Sequence, residues 1–448
     1  MSVTEARRCI EAARPGSPDI HLLRRPHEHL FLVNGSRIYD LPSGLIDDFD
    51  RACRTGGEAL DAMLRGLGLQ SAPLIDDTPL APPALHALSL AVAQSCNLGC
   101  TYCYAEGGQF GGAATKMTAE VANRAVDRLI DDAPGDAKLS LAFLGGEPLI
   151  NRAVVHSATA RAAERARMRG IQIGFAITTN GTLITPADAD LFEEHGFAVT
   201  VSLDGGRAAH DAQRPFKGGR GSFDTVLARV APLLRAQSRM QVSARVTVTP
   251  ANLDLVETLD LLIGLGFHSV GFSPMLSSPT GKGEMQPDDL DAMLAQMIAC
   301  GQVFEKHTLA GRRYPFANLL SAMRELARGT HRPYPCGAGA GYLGVAADGA
   351  LSACHRFVGN AAGAMGSLDA GVDAQAQADW LAQRHVHRQE PCSSCWARYL
   401  CGGGCHHEVL SRGRPACDYV RGWLNYAIEA YLRLSAAASA RGGEIGFG

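Results

Sequence analysis

Between residues 86 and 300 the chain alternates short apolar runs with amphipathic segments, and this alternation constrains the fold most strongly. Six apolar runs have the length and composition of strands: 88–93, 139–144, 173–179, 198–203, 242–248 and 269–272. Helical patterns such as 118–133 and 153–170 separate them. Strands that alternate with helices build a parallel sheet with helical crossovers. We predict an α/β fold, a barrel or partial barrel, whose apolar strands are covered on both faces.

The regions on either side of this pattern differ from it. Residues 30–42 predict a hairpin with Asn-Gly as its turn, two helical patterns follow, and the proline-rich 80–85 is typical of a linker. From about residue 316 the strand patterns stop, and the remainder is rich in Gly and Cys. We therefore predict a small α+β section at 1–84, the barrel at 85–315 and a cysteine-rich domain at 316–448.

Composition excludes several classes of protein. The 448 residues carry a net charge of −3 without a long basic run, which argues against binding to nucleic acid or to anionic membranes. The N-terminus lacks the apolar core of a signal peptide. No run approaches the ~18 apolar residues that a membrane-spanning helix needs. We therefore expect a soluble cytoplasmic protein.

The thirteen cysteines are clustered rather than scattered. In a reducing compartment such clusters indicate metal binding or catalysis rather than disulfides. Three cysteines lie within 96–103, and seven more are Cys336, Cys354, Cys392, Cys395, Cys401, Cys405 and Cys417. The isolated Cys9, Cys53 and Cys300 are expected to be ordinary buried side chains.

Polar residues follow four of the predicted strands. Cys96 follows the first strand, and Gly-Gly-Glu-Pro (145–148), Thr-Asn-Gly-Thr (179–182) and Ser-Leu-Asp-Gly-Gly (202–206) follow or end the next three. In an α/β barrel the carboxyl ends of the strands form one rim, where the active site is built. We therefore expect these four motifs to converge on one cavity.

The spacing of Cys96, Cys100 and Cys103 allows one tight loop to direct three thiolates at a single centre. A structural zinc site normally needs a fourth protein ligand. An iron–sulfur cluster held by three thiolates keeps one iron open to a substrate or cofactor. A zinc knuckle and a chance cluster remain as alternatives.

The motif Cys-x3-Cys-x-Tyr-Cys after the first strand, followed by Gly-Gly-Glu, resembles the radical S-adenosylmethionine (SAM) superfamily over roughly residues 88–300. The resemblance implies a partial (βα)6 TIM-type barrel with a 4Fe-4S cluster on Cys96, Cys100 and Cys103 as its catalytic centre. The open iron of such a cluster chelates the amino and carboxylate groups of SAM. Reductive cleavage of SAM then gives a deoxyadenosyl radical, which abstracts hydrogen from the substrate.

The same resemblance implies contacts to SAM at two of the motifs. Gly145, Gly146 and Glu147 would meet the ammonium group of SAM, because glycines allow close approach of the backbone and a carboxylate complements a cation. Tyr102 would form a wall beside the cluster and the adenine.

Further contacts to SAM are implied at the later strand ends. Asn180 and Ser202 would lie near the ribose or methionine part, and their alternative role is to form turns. Arg214 and Arg245 would face the SAM carboxylate, and their alternative role is a buried ion pair. Asp204 is predicted to be a turn residue.

The C-terminal cysteines resemble the SPASM extension of radical SAM enzymes at all seven positions. This resemblance implies two auxiliary 4Fe-4S clusters, and a zinc ribbon is the alternative for part of the set. One cluster would use Cys336, Cys354 and Cys405, which leaves it one protein ligand short, so its fourth position is either open to a substrate thiolate or filled by another residue. The other would use four cysteines, namely Cys392, Cys395, Cys401 and Cys417.

The SPASM enzymes act on peptides, and two motifs bear on which chemistry this chain performs. Sulfatase maturases carry an aspartate after the position of Cys354, whereas here His355 follows, which counts against formylglycine formation. The motifs Cys-His-Arg-Phe-Val-Gly and Cys-Thr-Tyr-Cys-Tyr-Ala-Glu-Gly-Gly resemble peptide maturases that form thioethers. Of these, the chain most resembles the maturases of the small cysteine-rich subunit of quinohemoprotein amine dehydrogenase, which link cysteine sulfur to carbons of Asp or Glu side chains.

The resemblance thus implies a ribosomally made peptide or small cysteine-rich protein as substrate and an electron donor such as flavodoxin or ferredoxin. His355 is the candidate base, and packing against a cluster is its alternative role. Section 1–84 loosely resembles the leader-peptide-recognition domains of such enzymes, with a plain cap on the barrel as the alternative. Carbon–carbon crosslinking, side-chain oxidation and a non-catalytic iron–sulfur electron carrier are the competing functions.

Overall fold

A computed structural model describes residues 7, 10–12, 17–24 and 27–441. Cys9 lies outside them. The chain divides into two compact units. The barrel unit comprises Leu80–Met285 and Gly337–Leu381, and the helical unit comprises the chain up to Pro79, Gln286–Cys336 and the chain from Ala382 onward. Each unit is therefore assembled from segments that are distant in sequence, whereas the predicted domains follow one another along the chain.

The helical unit contains a three-stranded antiparallel sheet. Its strands are β1 (Ile20–Leu23), β2 (His29–Leu32) and β3 (Arg37–Asp40), in that order. The predicted hairpin is confirmed as the pair β2–β3, with Leu30 opposite Tyr39. The four-residue β1 was not predicted. β3 lies at one edge of the sheet and is only partly buried.

The six predicted strands of the barrel unit are confirmed. They are β4 (Ala87–Ala93), β5 (Lys138–Gly145), β6 (Gln172–Thr179), β7 (Ala198–Ser202), β8 (Gln241–Val248) and β9 (Ser269–Pro274). Each pairs in parallel with the next, in sequence order. The carboxyl ends of all six strands therefore lie along one edge, as the partial barrel requires.

Four further strands extend this sheet beyond β4. They are β10 (Tyr342–Val345), β11 (Ala350–Ser352), β12 (Ala364–Ser367) and β13 (Gly371–Val372), and β10 pairs in parallel with β4. The prediction that strands stop near residue 316 is therefore wrong. These strands have two to four residues and include Gly and Ser, so they lack an apolar run long enough to be recognised.

From β5 to β9, the parallel sheet carries buried apolar side chains on one face and smaller or polar side chains on the other. Alternate residues such as Leu141 and Phe143 in β5, or Val242 and Val246 in β8, are fully buried. The residues between them remain accessible, as in the burial pattern of β8, where Ser243 and Arg245 face the other side. The prediction that both faces are covered holds for β4, which is buried continuously from Leu88 to Ala93, and is wrong for β5 to β9, where buried and accessible positions alternate. Most side chains between the large apolar ones are small, being Ala, Gly, Ser or Thr. Such residues are compatible with burial, so the runs had the composition of strands buried on both faces.

Each of the four predicted helical patterns forms a helix, and both units contain further helices. The barrel unit contains Ala119–Asp131, Arg152–Arg169, Pro186–Glu194, Arg207–Gln213, Phe223–Ala236 and Leu255–Gly264. The helical unit contains Leu45–Thr55, Gly57–Gly66, Pro287–Leu309, Ala317–Ala327, Arg398–Cys401, His406–Arg412 and Cys417–Ser439, and a further helix spans Ala374–Arg384. None of the helices in the described ranges has both the length and the apolar character needed to cross a bilayer.

The core of the helical unit contains a histidine that makes folding sensitive to pH. The ring of His21 stacks on Trp396 at 3.8 Å, and its Nε2 lies 2.7 Å from Asn425 Oδ1. Burial lowers the pKa of His21 to about 4. The unfolded chain binds a proton near pH 6.5 and the folded chain only near pH 4, so stability is lost as the pH falls between these values.

We expect the free energy of unfolding to fall by about 2 kcal/mol when the pH is lowered from 7.5 to 5, because His21 takes up a proton in the unfolded chain. The measurement is urea unfolding of the wild type and of His21→Gln, followed by circular dichroism at both pH values. The variant should lose less stability over this interval than the wild type. An equal loss in both proteins would show that His21 is not responsible.

Candidate active site

The predicted motifs meet at the carboxyl edge of the parallel sheet in the barrel unit. The loop after β5 lies along the loop after β4, because Gly146 N donates to Ala93 O at 2.8 Å and Glu147 N to Ser95 O at 2.9 Å. The loop after β6 meets the first loop through Asn180, whose side chain reaches Cys96. The predicted convergence at one rim is confirmed for these motifs.

The three-cysteine loop is held in place by the segment that follows helix Arg207–Gln213. Gly99 N donates to Pro215 O at 2.8 Å, and Lys217 N donates to Asn97 O at 3.1 Å. These backbone bonds fix the loop between its first and second cysteines. The loop is therefore ordered by backbone hydrogen bonds to a second segment, which is a favourable starting geometry for cluster binding.

The three thiols of this loop form one group. Cys96, Cys100 and Cys103 are each partly buried. Burial raises the pKa of Cys100 to about 11, and the positive charge of Arg214 opposes it while the neighbouring thiols add to it. Burial also raises the pKa of Cys96, and Cys103 contributes to that rise. The thiols are therefore close enough to affect one another's ionisation.

Gly145 and Gly146 are required by backbone packing. Gly145 has a φ of 146°, and a side chain there would collide with the carbonyl of Ala93. A Cβ on Gly146 would overlap the Ser95 carbonyl and lie 2.7 Å from Gly108 Cα. The glycines therefore allow the loops after β4 and β5 to pack together. The predicted contact of this motif with the ammonium group of SAM stays a prediction.

Glu147 links the ends of two strands. Its buried carboxylate accepts hydrogen bonds from Leu149 N at 3.1 Å, from Thr179 Oγ1 at 2.8 Å and from Asn180 N at 2.7 Å. Burial raises the pKa of Glu147, and these donors oppose the rise. The carboxylate thereby fixes the end of β6 against the loop after β5. Each carboxylate oxygen has two acceptor sites, so capacity for a further donor remains.

Three buried side chains form a second group beside the cysteine loop. The hydroxyl of Tyr102 donates to the carboxylate of Asp204, and Arg214 Nη1 donates to the Tyr102 oxygen at 2.7 Å. Arg214 Nη1 also lies 3.9 Å from Asp204 Oδ2, and Thr247 N donates to Asp204 Oδ1 at 2.9 Å. Burial raises the pKa of Asp204, and Arg214 and Tyr102 oppose it.

This group bears on two expectations. Arg214 does form a buried ion pair, yet its Nε is buried without a hydrogen-bond partner among the described residues, which leaves a donor for an anion. Asp204 is fully buried and connects several elements, so its interpretation as a plain turn residue was incomplete. The sequence signal that could have identified the role of Asp204 is its position directly after an apolar strand, which it shares with the other rim motifs.

Replacing Asp204 with alanine should lower the free energy of unfolding by about 3 kcal/mol, because Arg214 would remain as a buried charge without its partner. The matched control is Asp132→Ala, whose partner Arg128 lies 3.5 Å away at the surface. That variant should change stability by less than about 1 kcal/mol. Chemical denaturation of the three proteins makes the comparison, and equal effects would contradict a special role for Asp204.

Ser202 and Arg245 lie side by side on the open face of the sheet. Ser202 ends β7 and is paired in register with Arg245 of β8. Arg245 is exposed, so the alternative of a buried ion pair does not hold for it. Both residues border the space above the open face, and their contacts with SAM stay predictions.

His355 lies beside β10 and β4, next to the buried Cys354. Its Nδ1 is 2.9 Å from the Tyr342 hydroxyl, which is itself 2.9 Å from Ser89 Oγ. Its ring lies 6.5 Å from that of Tyr104, which directly follows the third cysteine of the loop. These contacts hold the imidazole in the barrel unit near the cysteine loop.

Four C-terminal cysteines come together in the helical unit. Burial raises the pKa of Cys392 to about 12, and the thiols of Cys395, Cys401 and Cys417 contribute while Arg414 opposes it. Cys392 starts a short 3-10 turn, Cys401 ends one helix, and Cys417 begins another. The four thiols predicted for one auxiliary cluster are therefore neighbours.

The other auxiliary cluster was predicted on Cys336, Cys354 and Cys405. Cys336 and Cys405 are exposed residues of the helical unit, and Cys354 is a buried residue of the barrel unit. This cluster therefore stays a prediction. Of the isolated cysteines, Cys300 is buried as expected and Cys53 is partly buried.

The donor sets fit iron–sulfur chemistry. The barrel unit offers three thiols on one loop, with an unpartnered guanidinium nitrogen of Arg214 beside them. The helical unit offers four thiols. Three thiolates leave an iron open to a cofactor, and four close a cluster. Within the described ranges, no three Cys, His, Asp or Glu side chains are arranged to hold a single metal ion.

Comparison with known proteins adds independent findings. Residues 90–262 match the sequence profile of the radical SAM superfamily. The chain is 29% identical over 372 residues to a serine-type anaerobic sulfatase-maturating enzyme of Klebsiella aerogenes, covering 80% of this chain and 89% of that enzyme. It is 28% identical over 159 residues to a cysteine-type anaerobic sulfatase-maturating enzyme of Clostridium novyi, covering 34% and 41% of the two chains.

Solved structures show the same fold. Native anSMEcpe with bound AdoMet superposes with a TM-score of 0.66 at 20% identity, covering 80% of this chain and 100% of that one. Native anSMEcpe with bound AdoMet and the Cp18Cys peptide gives a TM-score of 0.64 at 22% identity, with the same coverage. At these identities the similarity establishes the fold.

Proposed function

We propose that this chain modifies a side chain of a ribosomally made peptide or small cysteine-rich protein. The premise is that the chain carries a radical SAM domain and is homologous to anaerobic sulfatase-maturating enzymes. The observation that carries the proposal is the set of three thiols at the strand ends, fixed against the Gly-Gly-Glu loop and beside Arg214. When bound, a 4Fe-4S cluster and SAM supply the radical that takes a hydrogen atom from the substrate, and an auxiliary cluster supplies the oxidant for the remaining electron.

The residues of the chain have distinct tasks in this proposal. Cys96, Cys100 and Cys103 hold the catalytic cluster, and Gly145 and Gly146 allow its loop to pack. Arg214 presents an unpartnered donor beside the loop, which suits the carboxylate of SAM. The other predicted SAM contacts are to Tyr102, Glu147, Asn180, Ser202 and Arg245.

We further propose that the product is a thioether between a cysteine sulfur and a carbon of the same peptide. In this reaction a C–H bond and an S–H bond break and a C–S bond forms, so the peptide loses two hydrogen atoms, which is equivalent to two protons and two electrons. The observation that favours it is His355 at the position where sulfatase maturases have aspartate. His355, oriented by Tyr342, is the proposed acceptor of the thiol proton.

Oxidation of a side chain to an aldehyde is the second candidate. It is favoured by the similarity to the serine-type sulfatase-maturating enzyme, which extends over 80% of this chain. A serine oxidised to an aldehyde also loses two hydrogens, so mass alone does not separate the two candidates. The fate of the thiol and the presence of a carbonyl do separate them.

The sheet β1–β3 is the proposed place for the leader part of the substrate. β3 is an edge strand, and its residues from Arg37 to Asp40 are partly accessible. An extended peptide can add to such an edge through backbone hydrogen bonds. A small iron–sulfur or flavin protein such as ferredoxin or flavodoxin is the proposed electron donor.

The experiment is anaerobic turnover with SAM, a reductant and a small cysteine-rich protein encoded beside the gene, with the Cp18Cys peptide as a parallel substrate. A thioether predicts loss of a pair of hydrogens per linkage, cysteines that resist alkylation after turnover, and no reaction with a hydrazide probe. A product that reacts with hydrazide would overturn the thioether and support side-chain oxidation, and its thiols stay alkylatable if serine rather than cysteine is oxidised.

A further inference from the structure

Asn180 stands at the end of β6 in direct contact with the first cysteine of the loop. Its side chain is 5% exposed, and its Nδ2 lies 3.7 Å from Cys96 Sγ. The backbone N–H of Leu98 donates to the same sulfur at 3.4 Å. Cys96 therefore receives two N–H donors, one from its own loop and one from a different strand end.

The orientation of the Asn180 amide is fixed by a closed ring of hydrogen bonds. Asn97 Nδ2 donates to Thr182 Oγ1 at 2.8 Å, and Thr182 Oγ1 donates to Asn180 Oδ1 at 2.6 Å. Asn180 Nδ2 closes the ring by donating to Asn97 Oδ1 at 2.9 Å. Since Thr182 N also donates to Asn180 Oδ1, at 3.0 Å, the amide oxygen is held away from the sulfur.

The NH2 group of Asn180 is thereby directed at two acceptors. One hydrogen serves Asn97 Oδ1, and the second points toward Cys96 Sγ. In the described part of the chain, no side-chain amide donates to Cys100 or Cys103. The amide contact therefore distinguishes one thiol of the loop from the other two.

The backbone of Asn180 is held by the Gly-Gly-Glu loop. Glu147 accepts from Asn180 N at 2.7 Å and from the Thr179 hydroxyl at 2.8 Å. These two donors to Glu147 lie at the end of β6, so the carboxylate fixes the position of Asn180 relative to the sheet. A chain of contacts thus leads from Glu147 through the β6 terminus to the sulfur of Cys96.

We propose that Asn180 is a positioning residue that donates a hydrogen bond to the Cys96 thiolate and raises the reduction potential of the cluster bound by this loop. Hydrogen bonds to cluster sulfurs favour the reduced state, because that state carries more negative charge. The inference rests on the cluster of the proposed function but does not depend on which bond is made in the peptide. It differs from the expected role of Asn180 near the ribose or methionine part of SAM.

The test is a redox titration of the reconstituted full-length protein, followed by electron paramagnetic resonance. The signal that changes when SAM is added identifies the cluster of the cysteine loop, and the titration itself is run without SAM. Asn180→Leu keeps the volume and removes the donor. Its midpoint should move to lower potential, so that the ratio of reduced to oxidised cluster at a fixed potential falls about threefold to tenfold.

The matched control is Asn151→Leu. Asn151 is a partly buried amide at the end of the 3-10 turn Pro148–Asn151, and its Nδ2 donates to Val92 O and Met117 O, both at 2.8 Å, with no thiol contact. This control should leave the midpoint where it is in the wild type. If Asn180→Leu does not load its cluster, Asn180→Ala serves instead, because it also removes the N–H donor and adds no charge beside the cluster.

Two outcomes would overturn the inference. One is an unchanged midpoint in a fully loaded Asn180 variant, and if SAM then binds more weakly, Asn180 is a SAM contact instead. The other is an equal shift in Asn151→Leu, which would make the effect a general loss of rigidity. A shift in the Asn180 variants alone supports the proposal, whatever product is found in the peptide.

Discussion

Alanine in place of Cys96, Cys100 or Cys103 will abolish release of deoxyadenosine from SAM and remove one cluster from the protein. In the proposed function each thiol is one of three ligands to a cluster that has no spare protein ligand, so losing one would leave two irons open and the cluster unstable. Iron per chain should fall from about twelve to about eight in the anaerobically reconstituted protein, given four irons per cluster. Iron analysis and chromatography of the SAM products measure both effects.

The control for this experiment is Cys53→Ala. Cys53 is an isolated, partly buried cysteine of the helix Leu45–Thr55. Its replacement should leave iron content and deoxyadenosine release at the wild-type level. If Cys96→Ala released deoxyadenosine at the wild-type rate, the loop would not hold the catalytic cluster, and a non-catalytic iron–sulfur protein would become the better account.

Gly146→Ala will strongly destabilise the site by adding a single methyl group to it. The new Cβ would overlap the Ser95 carbonyl and lie 2.7 Å from Gly108 Cα, and both neighbours are backbone. Backbone cannot move aside as a flexible side chain does, so the loops after β4 and β5 must separate. We expect a loss of about 3 kcal/mol or more in unfolding free energy, together with loss of the loop's cluster.

Gly135→Ala is the control for the added methyl group. Gly135 lies in an exposed turn, and a Cβ there has no neighbour within 4 Å. Its replacement should change stability by less than about 0.5 kcal/mol and leave the iron content unaltered. A Gly146→Ala protein with wild-type stability and iron would contradict the packing that we assign to the Gly-Gly-Glu loop.

The parallel sheet could be predicted because its strands are apolar runs separated by long helices. The strands β10–β13 could not, because they have two to four residues and their pairing partners are distant in sequence. The open face was also missed. A run of Ala, Ser and Thr between larger side chains has the composition of a buried strand, and only the register shows that the small residues share one face.

The site was predictable at the level of motifs rather than of contacts. Each rim motif follows a strand, and the topology brings such positions together. The partners of Glu147 and the burial of Asp204 were not predictable, because they depend on how far each loop reaches across the edge. Asn180 was expected near SAM, whereas its nearest sulfur contact is Cys96, which no spacing rule indicates.

The central claim is that a radical generated in this chain is used to modify a peptide, and the most direct test counts two products in one reaction. Wild-type protein, SAM, a reductant and the small cysteine-rich substrate are incubated anaerobically, and deoxyadenosine and modified residues are quantified together. We predict that they accumulate in equal amounts in the wild type and that neither forms in Cys96→Ala. Deoxyadenosine without any change in peptide mass, or a modified peptide without deoxyadenosine, would contradict the claim.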